Sequence, residues 1–248
     1  AARVLWPGWC VTEVHEHKLL KGVDLSGPAR DLQVVASPPP YGSSEGFEVA
    51  MALQSDLGGG RALNHYRCVV RLEQMLPAEM PAERAFHNER MLSVAKAYGE
   101  WLFHGPRFQV IEHIDGLSPA GACARVRSTR PAHWLAGEEG RTAGWVFDPA
   151  LLDAAAQMAW LWSRAYRDES ALPARFGRVV RYRERFPDFM HMQYERIETP
   201  DTNLIRGNVV FLDAQGAPVM AIDELDSVAS AALNRFGGTA RAGEHAAA

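Results

Sequence analysis

The sequence is poor in cysteine, and its few cysteines are not spaced for disulfides or metal binding. Cys10, Cys68 and Cys123 are three cysteines among 248 residues, an odd number without a CxxC spacing. Such a set argues against a disulfide framework and a thiolate metal site, and it is typical of the reducing cytoplasm. No HExxH motif occurs, and the glycines at 58–60 lack the following helix that a phosphate-binding loop requires.

Three further absences argue against large classes of function. No apolar stretch approaches the ~20 residues of a membrane helix and no secretory signal opens the chain, so no contact with a membrane is expected. An excess of positive charge is also missing, because the net charge is -4, which argues against nucleic acid as a partner. With 47% hydrophobic and 23% charged residues, the composition predicts a globular cytoplasmic protein with a sizeable core.

Strand-like patterns dominate the remaining sequence, in two groups separated by a linker. The first group comprises predicted strands at 9–25, 32–36, 47–53 and 62–72. The last two of these form a hairpin through the glycines at 58–60. A linker over 75–81 and a helix over 82–102 follow. The second group comprises strands at 108–114, 121–126, 176–186, 191–198, 203–212 and 219–228, with Asp115-Gly116 as the turn between the first two.

The most apolar helix of the chain is predicted over 149–166, with Asp148 as its N-cap and Pro149 at its first position. A long apolar helix must be buried, and the antiparallel strands after it can supply a covering sheet. One helix wrapped by a curved antiparallel sheet is the hotdog arrangement, so two strand-rich halves suggest two such units. Residues 1–8 read as a helix end stopped by proline and glycine. Sandwich folds give similar strand patterns, and the patterns alone do not decide between them.

Two motifs in the C-terminal half carry a resemblance to a known family. They are Leu-Phe-His-Gly-Pro-Arg-Phe-Gln at 102–109 and Asp-Pro-Ala-Leu-Leu-Asp-Ala-Ala-Ala-Gln at 148–157. Together and in this order, they resemble the landmarks of the dehydratase domains of polyketide synthases and polyunsaturated-fatty-acid synthases. The resemblance reaches to about residue 230, and the form of the first motif leans toward the polyunsaturated-fatty-acid branch.

The resemblance implies an α+β double hotdog, two antiparallel sheets that each wrap a central helix. A partial first hotdog is expected over 1–74, a linker with a helix over 75–100, and the second hotdog over 101–232. The first hotdog is expected to be incomplete at its N-terminus. The tail over 233–248 is rich in glycine and alanine and is expected to be disordered.

The family's reaction removes water from a 3-hydroxyacyl chain and gives a trans-2-enoyl thioester. The chain is carried on the phosphopantetheine of an acyl carrier protein, so the resemblance implies that carrier and the neighbouring synthase domains as partners. It implies no cofactor bound by the domain itself. It places Asp153 as the general acid and Gln157 as the residue that orients the substrate hydroxyl. It also implies a set of substrate-binding residues around the acyl tunnel: Tyr98, His104, Gly105, Pro106 and Phe108.

Asp153 and Gln157 also have a physical case of their own. They are four positions apart on a helix, so they lie on one face as the main polar interruptions of an apolar segment. Apolar surroundings disfavour the charged form of a carboxyl group, which would let it hold a proton near neutral pH. The alternative is that Asp153 only interacts with the dipole at the helix start. Similarly, Gly105-Pro106 is open to being a plain strand entry, and His104 a loop histidine with local hydrogen bonds.

One expected landmark is missing from the first half. The family's proton-abstracting histidine lies in an HxxxGxxxxP motif, whereas His15 and His17 lie on a predicted strand with the wrong spacing. His133 begins an HxxxG in the second half, with Thr142 where proline is needed. Either the chain is truncated, which the helix end at 1–8 favours, or it is a degenerate domain. Little turnover is expected, because losing a general base costs roughly 10²–10⁴-fold in rate.

Five arginines lie within residues 175–185, at positions 175, 178, 181, 183 and 185. The last three alternate along a predicted strand and would share one face. Arg181 and Arg183 are therefore candidates for docking an acidic carrier protein or the phosphate of its arm. A solvated strand face balanced by acidic residues is the equal alternative.

Three functions remain open at this stage. The leading one is a 3-hydroxyacyl-carrier-protein dehydratase domain, and the second is a non-catalytic double-hotdog module that binds acyl chains or supports neighbouring domains. A hotdog thioesterase is disfavoured by the two motifs. A homodimer is left open.

Overall fold

The computed structural model describes residues 2–23, 31–37, 46–78, 89–135 and 144–237. Its strands are β1 Cys10–Leu19, β2 Leu32–Ser37, β3 Phe47–Asp56, β4 Ala62–Glu73, β5 Ile111–Ser118, β6 Gly121–Arg127, β7 Ser170–Arg181, β8 Phe189–Ile197, β9 Leu204–Leu212 and β10 Pro218–Ser230. Its α-helices are α1 Ala2–Leu5, α2 Val94–Lys96 and α3 Pro149–Arg167. A π-helical turn, Ala97–Trp101, continues α2, and short 3-10 helices span Pro106–Phe108, Pro131–His133 and Ala231–Phe236.

The described strands form one antiparallel sheet in the order β2-β3-β4-β1-β7-β10-β9-β8-β6-β5. Strand β1 pairs with β4 on one side and with β7 on the other. The four strands of the first half and the six of the second are therefore joined edge to edge. This confirms the two strand-rich halves of the predicted fold and corrects one detail, because the two sheets are continuous.

Helix α3 is the centre of the second half. Strands β6 to β10 all contact it, and its side chains are buried on most sides, with Leu151, Met158 and Leu161 fully inaccessible. Burying each such side chain contributes about 1.5–3 kcal/mol. Asp148 caps the helix by accepting a hydrogen bond from the Ala150 backbone N–H (2.9 Å), as the sequence predicts. The predicted buried helix wrapped by a sheet is confirmed.

A smaller core lies in the first half, beneath α1. Trp6 and Trp9 pack edge-on against Phe47, with ring centroids 5.8 and 4.9 Å apart, and Val49 and Leu72 beside them are fully buried. Helix α1 confirms the helix end predicted over 1–8. The predicted hairpin is also confirmed, since β3 and β4 pair antiparallel across glycines with left-handed backbone at 58–60.

The prediction of a helix over 82–102 is wrong for residues 89–93, which are not helical. Residues 82–88 lie outside the described part of the chain. Arg90 is extended and forms an isolated bridge with Leu117 of β5. The backbone N–H groups of Glu89 and Arg90 donate to the Leu117 carbonyl (both 2.9 Å), which competes with helix formation. The helix begins only after Ser93, whose side chain caps α2.

Several predicted strand boundaries also differ, including that of the strand predicted over 176–186, which is observed as Ser170–Arg181. The Asp115-Gly116 turn is wrong, because both residues lie within β5 at a register irregularity, and the chain turns at 119–120 instead. Proline at 119 cannot donate to the ladder, which ends the strand there. Strand β1 ends at Leu19, where the backbone N–H groups of Leu20 and Lys21 both donate to the His65 carbonyl.

The tail predicted to be disordered from 233 is ordered through residues 233–236. These belong to the last 3-10 helix, which Asn234 fastens to β7. Its side-chain oxygen accepts from the Ser170 backbone N–H (2.8 Å) and hydroxyl (2.9 Å), and its amide donates to the Asp168 carbonyl (2.8 Å). Residues 238–248 lie outside the described residues. Within the described residues, no helix combines the length and apolar character that crossing a membrane requires.

Candidate active site

Asp153 lies in the second turn of α3 and faces a cavity of about 200 Å³. Its side chain is 27% exposed, so it is neither sealed in the core nor free in bulk water. Two further polar side chains, His104 and Gln157, line the same cavity. The remaining lining is apolar: Leu19, Phe103, Ala156, Trp160, Ala171, Leu172 and Pro173. Since Leu19 belongs to β1 and the others to the second half, the cavity lies where the two halves meet.

Two side-chain nitrogen atoms lie within hydrogen-bonding distance of one oxygen of the Asp153 carboxyl group. The Gln157 amide donates to Oδ2 (Nε2 to Oδ2, 2.7 Å), which agrees with the predicted shared face of positions 153 and 157. Nε2 of His104 lies 3.2 Å from the same Oδ2. Asp153 is therefore held from its own helix and from the loop that precedes Pro106.

Gln157 is locked in one orientation by a chain of hydrogen bonds. The Ile111 backbone N–H donates to the Tyr98 hydroxyl oxygen (3.1 Å), and that hydroxyl donates to Oε1 of Gln157 (2.9 Å). Nε2 of Gln157 donates to the Phe108 carbonyl (2.9 Å) as well as to Asp153. Burial raises the pKa of Tyr98, so the phenol stays neutral and able to donate. This arrangement directs the amide nitrogen of Gln157 at Asp153.

His104 is a cavity residue, and its side chain reaches beyond its own loop. The side chain is 12% exposed and its ring stacks on Phe103, with centroids 4.4 Å apart. The ring also lies edge-on to Trp160, with ring centroids 6.5 Å apart. Gln109 supports the loop by donating from Nε2 to the His104 carbonyl (2.8 Å). Gln109 ends the first sequence motif, which was the available signal for this supporting role.

The remaining predicted substrate-binding residues lie outside the cavity lining. Gly105 and Pro106 are exposed at the start of a 3-10 turn. Phe108 packs edge-on against Trp134 (centroids 4.8 Å apart) and contributes its carbonyl to Gln157. Tyr98 is buried behind Gln157 and is linked to the site by its hydrogen bond to that residue.

Sequence reasoning missed most of the apolar lining. Ala156 and Trp160 follow Asp153 at the i+3 and i+7 positions, so helical periodicity could have placed them on the same face. No local signal pointed to Leu19 or Leu172, because they reach the cavity through the pairing of distant strands.

The histidines considered as replacements for the missing motif do not line this cavity. His15 pairs with Glu13 (Nε2 to Oε2, 2.8 Å). His17 stacks on Tyr66 and faces a separate apolar depression of about 320 Å³ in the first half. Burial lowers the pKa of His17. His133 lies in the 3-10 helix Pro131–His133, and Thr142 lies outside the described residues.

The proposed arginine row is wrong. Strand β7 ends at Arg181, so Arg183 and Arg185 do not share its face as strand residues. Arg181 is buried and donates to the Val11 carbonyl (3.0 Å), which makes it unsuitable for docking a partner. Arg183 is exposed beyond the strand end.

The other two arginines of the segment are tied to acidic neighbours. Arg175 binds Asp226 (3.1 Å) and Glu224 (3.0 Å) and also contacts Glu16. Arg178 donates to Glu13 (Nε to Oε2, 2.9 Å). Arg175 and Arg178 therefore fit the alternative to carrier-protein docking, in which acidic residues balance the arginines of the strand.

A family model described as the polyketide synthase dehydratase N-terminal domain matches residues 78–235, which include the cavity's histidine, aspartate and glutamine. The chain belongs to the polyketide synthase dehydratase family. It is also 28% identical over 188 residues to a polyunsaturated fatty acid synthase polypeptide of a Thraustochytrium species. That match covers 72% of this chain and 6% of the much longer relative.

Solved dehydratase domains share the fold of this family member. The dehydratase domain of PpsC from Mycobacterium tuberculosis superposes with a TM-score of 0.67 at 19% identity, covering 92% of this chain and 79% of that one. An inactive aspartate-to-asparagine mutant of the CurK dehydratase gives 0.64 at 18% identity, covering 93% and 78%. An inactive histidine-to-phenylalanine mutant of CurK also gives 0.64 at 18%, covering 91% and 77%. The double-hotdog fold is thereby established.

Proposed function

We propose that this chain acts as a dehydratase domain that converts a 3-hydroxyacyl thioester to the trans-2-enoyl thioester, with Asp153 as general acid. The observation that carries the proposal is a carboxyl group anchored by Gln157 and His104 in a mostly apolar cavity. Membership of the polyketide synthase dehydratase family supports the reaction class. The inactive aspartate variant of the CurK dehydratase supports an acidic residue in that role.

The reaction needs an acid for the departing hydroxyl and a base for the α-proton. Asp153 supplies the proton that leaves with the hydroxyl oxygen as water. In CurK, the inactive histidine variant supports a histidine imidazole as the base. Syn elimination requires the acid and the base to act on the same face of the acyl chain. Within the described residues, the cavity supplies Asp153 as the acid and no second histidine as the base.

The absence of a HxxxGxxxxP motif limits the expected rate. The 248-residue sequence contains no such motif, and no histidine other than His104 lines the cavity within the described residues. We therefore expect slow turnover by this chain alone, since a general base contributes roughly 10²–10⁴-fold.

The substrate is proposed to arrive on the phosphopantetheine arm of an acyl carrier protein, next to other synthase domains. A mostly apolar cavity suits the acyl part of such a thioester, while Asp153 meets its hydroxyl group. Dehydration transfers protons and breaks a C–O bond without net oxidation. The domain therefore requires no redox cofactor of its own.

Single-turnover dehydration of a 3-hydroxyacyl-pantetheine tests the proposal, with enzyme in excess so that slow chemistry is measurable. Asp153→Asn should lower the rate of enoyl thioester formation by at least ~10²-fold, because the acid is lost. Asp168→Asn is the matched control. Asp168 is exposed at the end of α3 with a left-handed backbone that asparagine tolerates, so its rate should be unchanged. Equal rates for Asp153→Asn and the wild type would refute the proposal.

A second candidate is a non-catalytic double-hotdog module that holds acyl chains or supports its neighbours. The missing HxxxGxxxxP motif is the observation that favours it. This module would bind a 3-hydroxyacyl-pantetheine amide analogue with similar affinity in the wild type and in Asp153→Asn, and neither protein would form product.

A further inference from the structure

Among the described residues, two side chains lie within hydrogen-bonding distance of the Asp153 carboxyl group, and both approach the same oxygen. Gln157 donates to Oδ2, and His104 Nε2 lies 3.2 Å from Oδ2. What His104 does at that distance depends on which of its nitrogens carries the proton. If Asp153 is the general acid of the proposed function, on which this assignment rests, then His104 has a role beside it.

The surroundings of the His104 ring favour one protonation form. Nδ1 is buried and has no hydrogen-bond partner among the described residues. A buried N–H without an acceptor loses its full hydration, so a proton on Nδ1 is disfavoured. The neutral form with its proton on Nε2 avoids that loss and directs an N–H donor at Asp153. Stacking on Phe103 and the Gln109 contact to the loop hold the ring in this position.

We propose that His104 is a positioning residue for Asp153, whose Nε2–H fixes Oδ2 and leaves Oδ1 as the oxygen that exchanges a proton with substrate. In the proposed reaction the Oδ1 proton moves to the substrate hydroxyl, the Cβ–O bond breaks, and water leaves. Because no described cavity residue acts as the base, the α-proton passes to water or a buffer base, and the C–H electron pair becomes the double bond. The Asp153 carboxylate that remains is stabilised by two donors, His104 and Gln157.

His104 is not itself the base for the α-proton. Its Nε2 is engaged with Asp153 and its Nδ1 is buried, so neither nitrogen presents a free lone pair to the cavity. The histidine in the cavity therefore does not replace the one that the sequence motif would have supplied.

Long-range ¹H–¹⁵N NMR of the full ¹⁵N-labelled chain tests the pairing without any need for turnover. The His104 signals are identified by their loss in His104→Phe. We expect a proton on Nε2 and none on Nδ1, and a shift of the Nε2 resonance in Asp153→Leu. Asp168→Asn should leave the resonance in place. A proton on Nδ1, or an Nε2 resonance that Asp153→Leu does not move, would overturn the proposal.

Single-turnover kinetics on a 3-hydroxyacyl-pantetheine test the consequence. His104→Phe keeps the ring stacked on Phe103 but removes the donor, and we expect about ten- to hundred-fold slower dehydration with little change in substrate affinity. That range corresponds to about 1.4–2.7 kcal/mol, which is close to the worth of hydrogen bonds to charged groups. His104→Gln retains an N–H donor and should recover part of the rate. Thermal melting of both variants shows whether either has lost its fold.

The NMR and kinetic experiments together distinguish failure of the positioning role of His104 from failure of the proposed function. A wild-type rate in His104→Phe, or a loss of substrate affinity in place of rate, would overturn the positioning role. No product from the wild-type chain would contradict the proposed function, whereas the NMR result would still decide whether His104 donates to Asp153.

Discussion

At the scale of single residues, the position of Asp153 depends on groups behind the cavity lining, namely the Tyr98 side chain and the Ile111 backbone. The backbone N–H of Ile111 holds the Tyr98 hydroxyl, which in turn fixes the Gln157 amide. Gln157 is 1% exposed and Tyr98 is 7% exposed, so water cannot easily replace a lost partner. A change at Tyr98 should therefore be felt both in stability and in the orientation of the carboxyl group.

Tyr98→Phe should destabilise the protein by about 1–3 kcal/mol, because it leaves the Ile111 N–H and Gln157 Oε1 without their shared partner. Tyr194→Phe is a matched control, since its hydroxyl is fully buried and has no hydrogen-bond partner in the described part of the chain. Removing that hydroxyl should be neutral or stabilising. Urea unfolding measures the free energy of unfolding of both variants. An equal loss of stability in Tyr98→Phe and Tyr194→Phe would contradict the role given to Tyr98.

At the scale of secondary-structure elements, strands β8 and β9 approach each other closely where β9 carries a glycine. A Cβ atom on Gly207 would lie 2.3 Å from Cε2 of Tyr194 and 2.6 Å from the Glu195 carbonyl oxygen. The Tyr194 ring is fully buried and the carbonyl belongs to the paired strand, so neither can move away without disturbing the sheet around α3.

Gly207→Ala should therefore lower the free energy of unfolding by about 1–3 kcal/mol, as overpacking in a core does. Gly99→Ala provides the comparison, because Gly99 is exposed in the π-helical turn and an added Cβ would meet nothing within 4 Å. Alanine there should be neutral or slightly stabilising. Urea unfolding midpoints of the two variants and the wild type test this prediction. An unchanged midpoint for Gly207→Ala would show that the strands have room to separate.

At the scale of the whole molecule, the two halves are joined by the pairing of β1 with β7, and ion pairs lie along this junction. Glu16 of β1 contacts Arg175 of β7, and Glu13 of β1 binds Arg178 of β7. Hydrogen bonds from Arg175 and Lys18 lower the pKa of Glu16 to about 2. The junction should therefore respond to acid.

Because its folded pKa is depressed, Glu16 contributes stability above its unfolded pKa of 4.5, and the contribution disappears as the pH falls toward about 2. The melting temperature of the wild type should exceed that of Glu16→Gln most at pH 5 or above, and the difference should narrow as the pH falls toward 2. Glu184→Gln, in the exposed loop after β7, should match the wild type throughout. A difference that is constant with pH would exclude this ion pair as its source.

Asp148 affects stability in the opposite direction, because its folded pKa is raised and not lowered. Burial raises its pKa although Thr129 hydrogen-bonds to its carboxylate. Its contribution to stability is therefore full below the unfolded value of 3.8 and is lost as the pH rises through the folded pKa. Asp148 is present in both the wild type and Glu16→Gln. A pH-dependent narrowing of the difference between their melting temperatures therefore reports the titration of Glu16.

Sequence alone determined the features that depend on neighbouring residues. The capped helix α3, the shared face of Asp153 and Gln157, and the β3–β4 hairpin all follow from local periodicity and turn chemistry. Such patterns repeat over a few residues and can be read directly along the chain. The two motifs added the family and, with it, the double-hotdog fold.

Only the tertiary structure decided which distant groups meet. Tyr98 and Gln157 are 59 positions apart, and strand pairing brings Leu19 of β1 to the cavity of α3. The same long-range pairing buries Arg181 against the Val11 carbonyl, where sequence had suggested an exposed docking face. Residue type and spacing do not encode which strand edge or loop lies opposite, because that depends on the packing of the whole sheet around its helix.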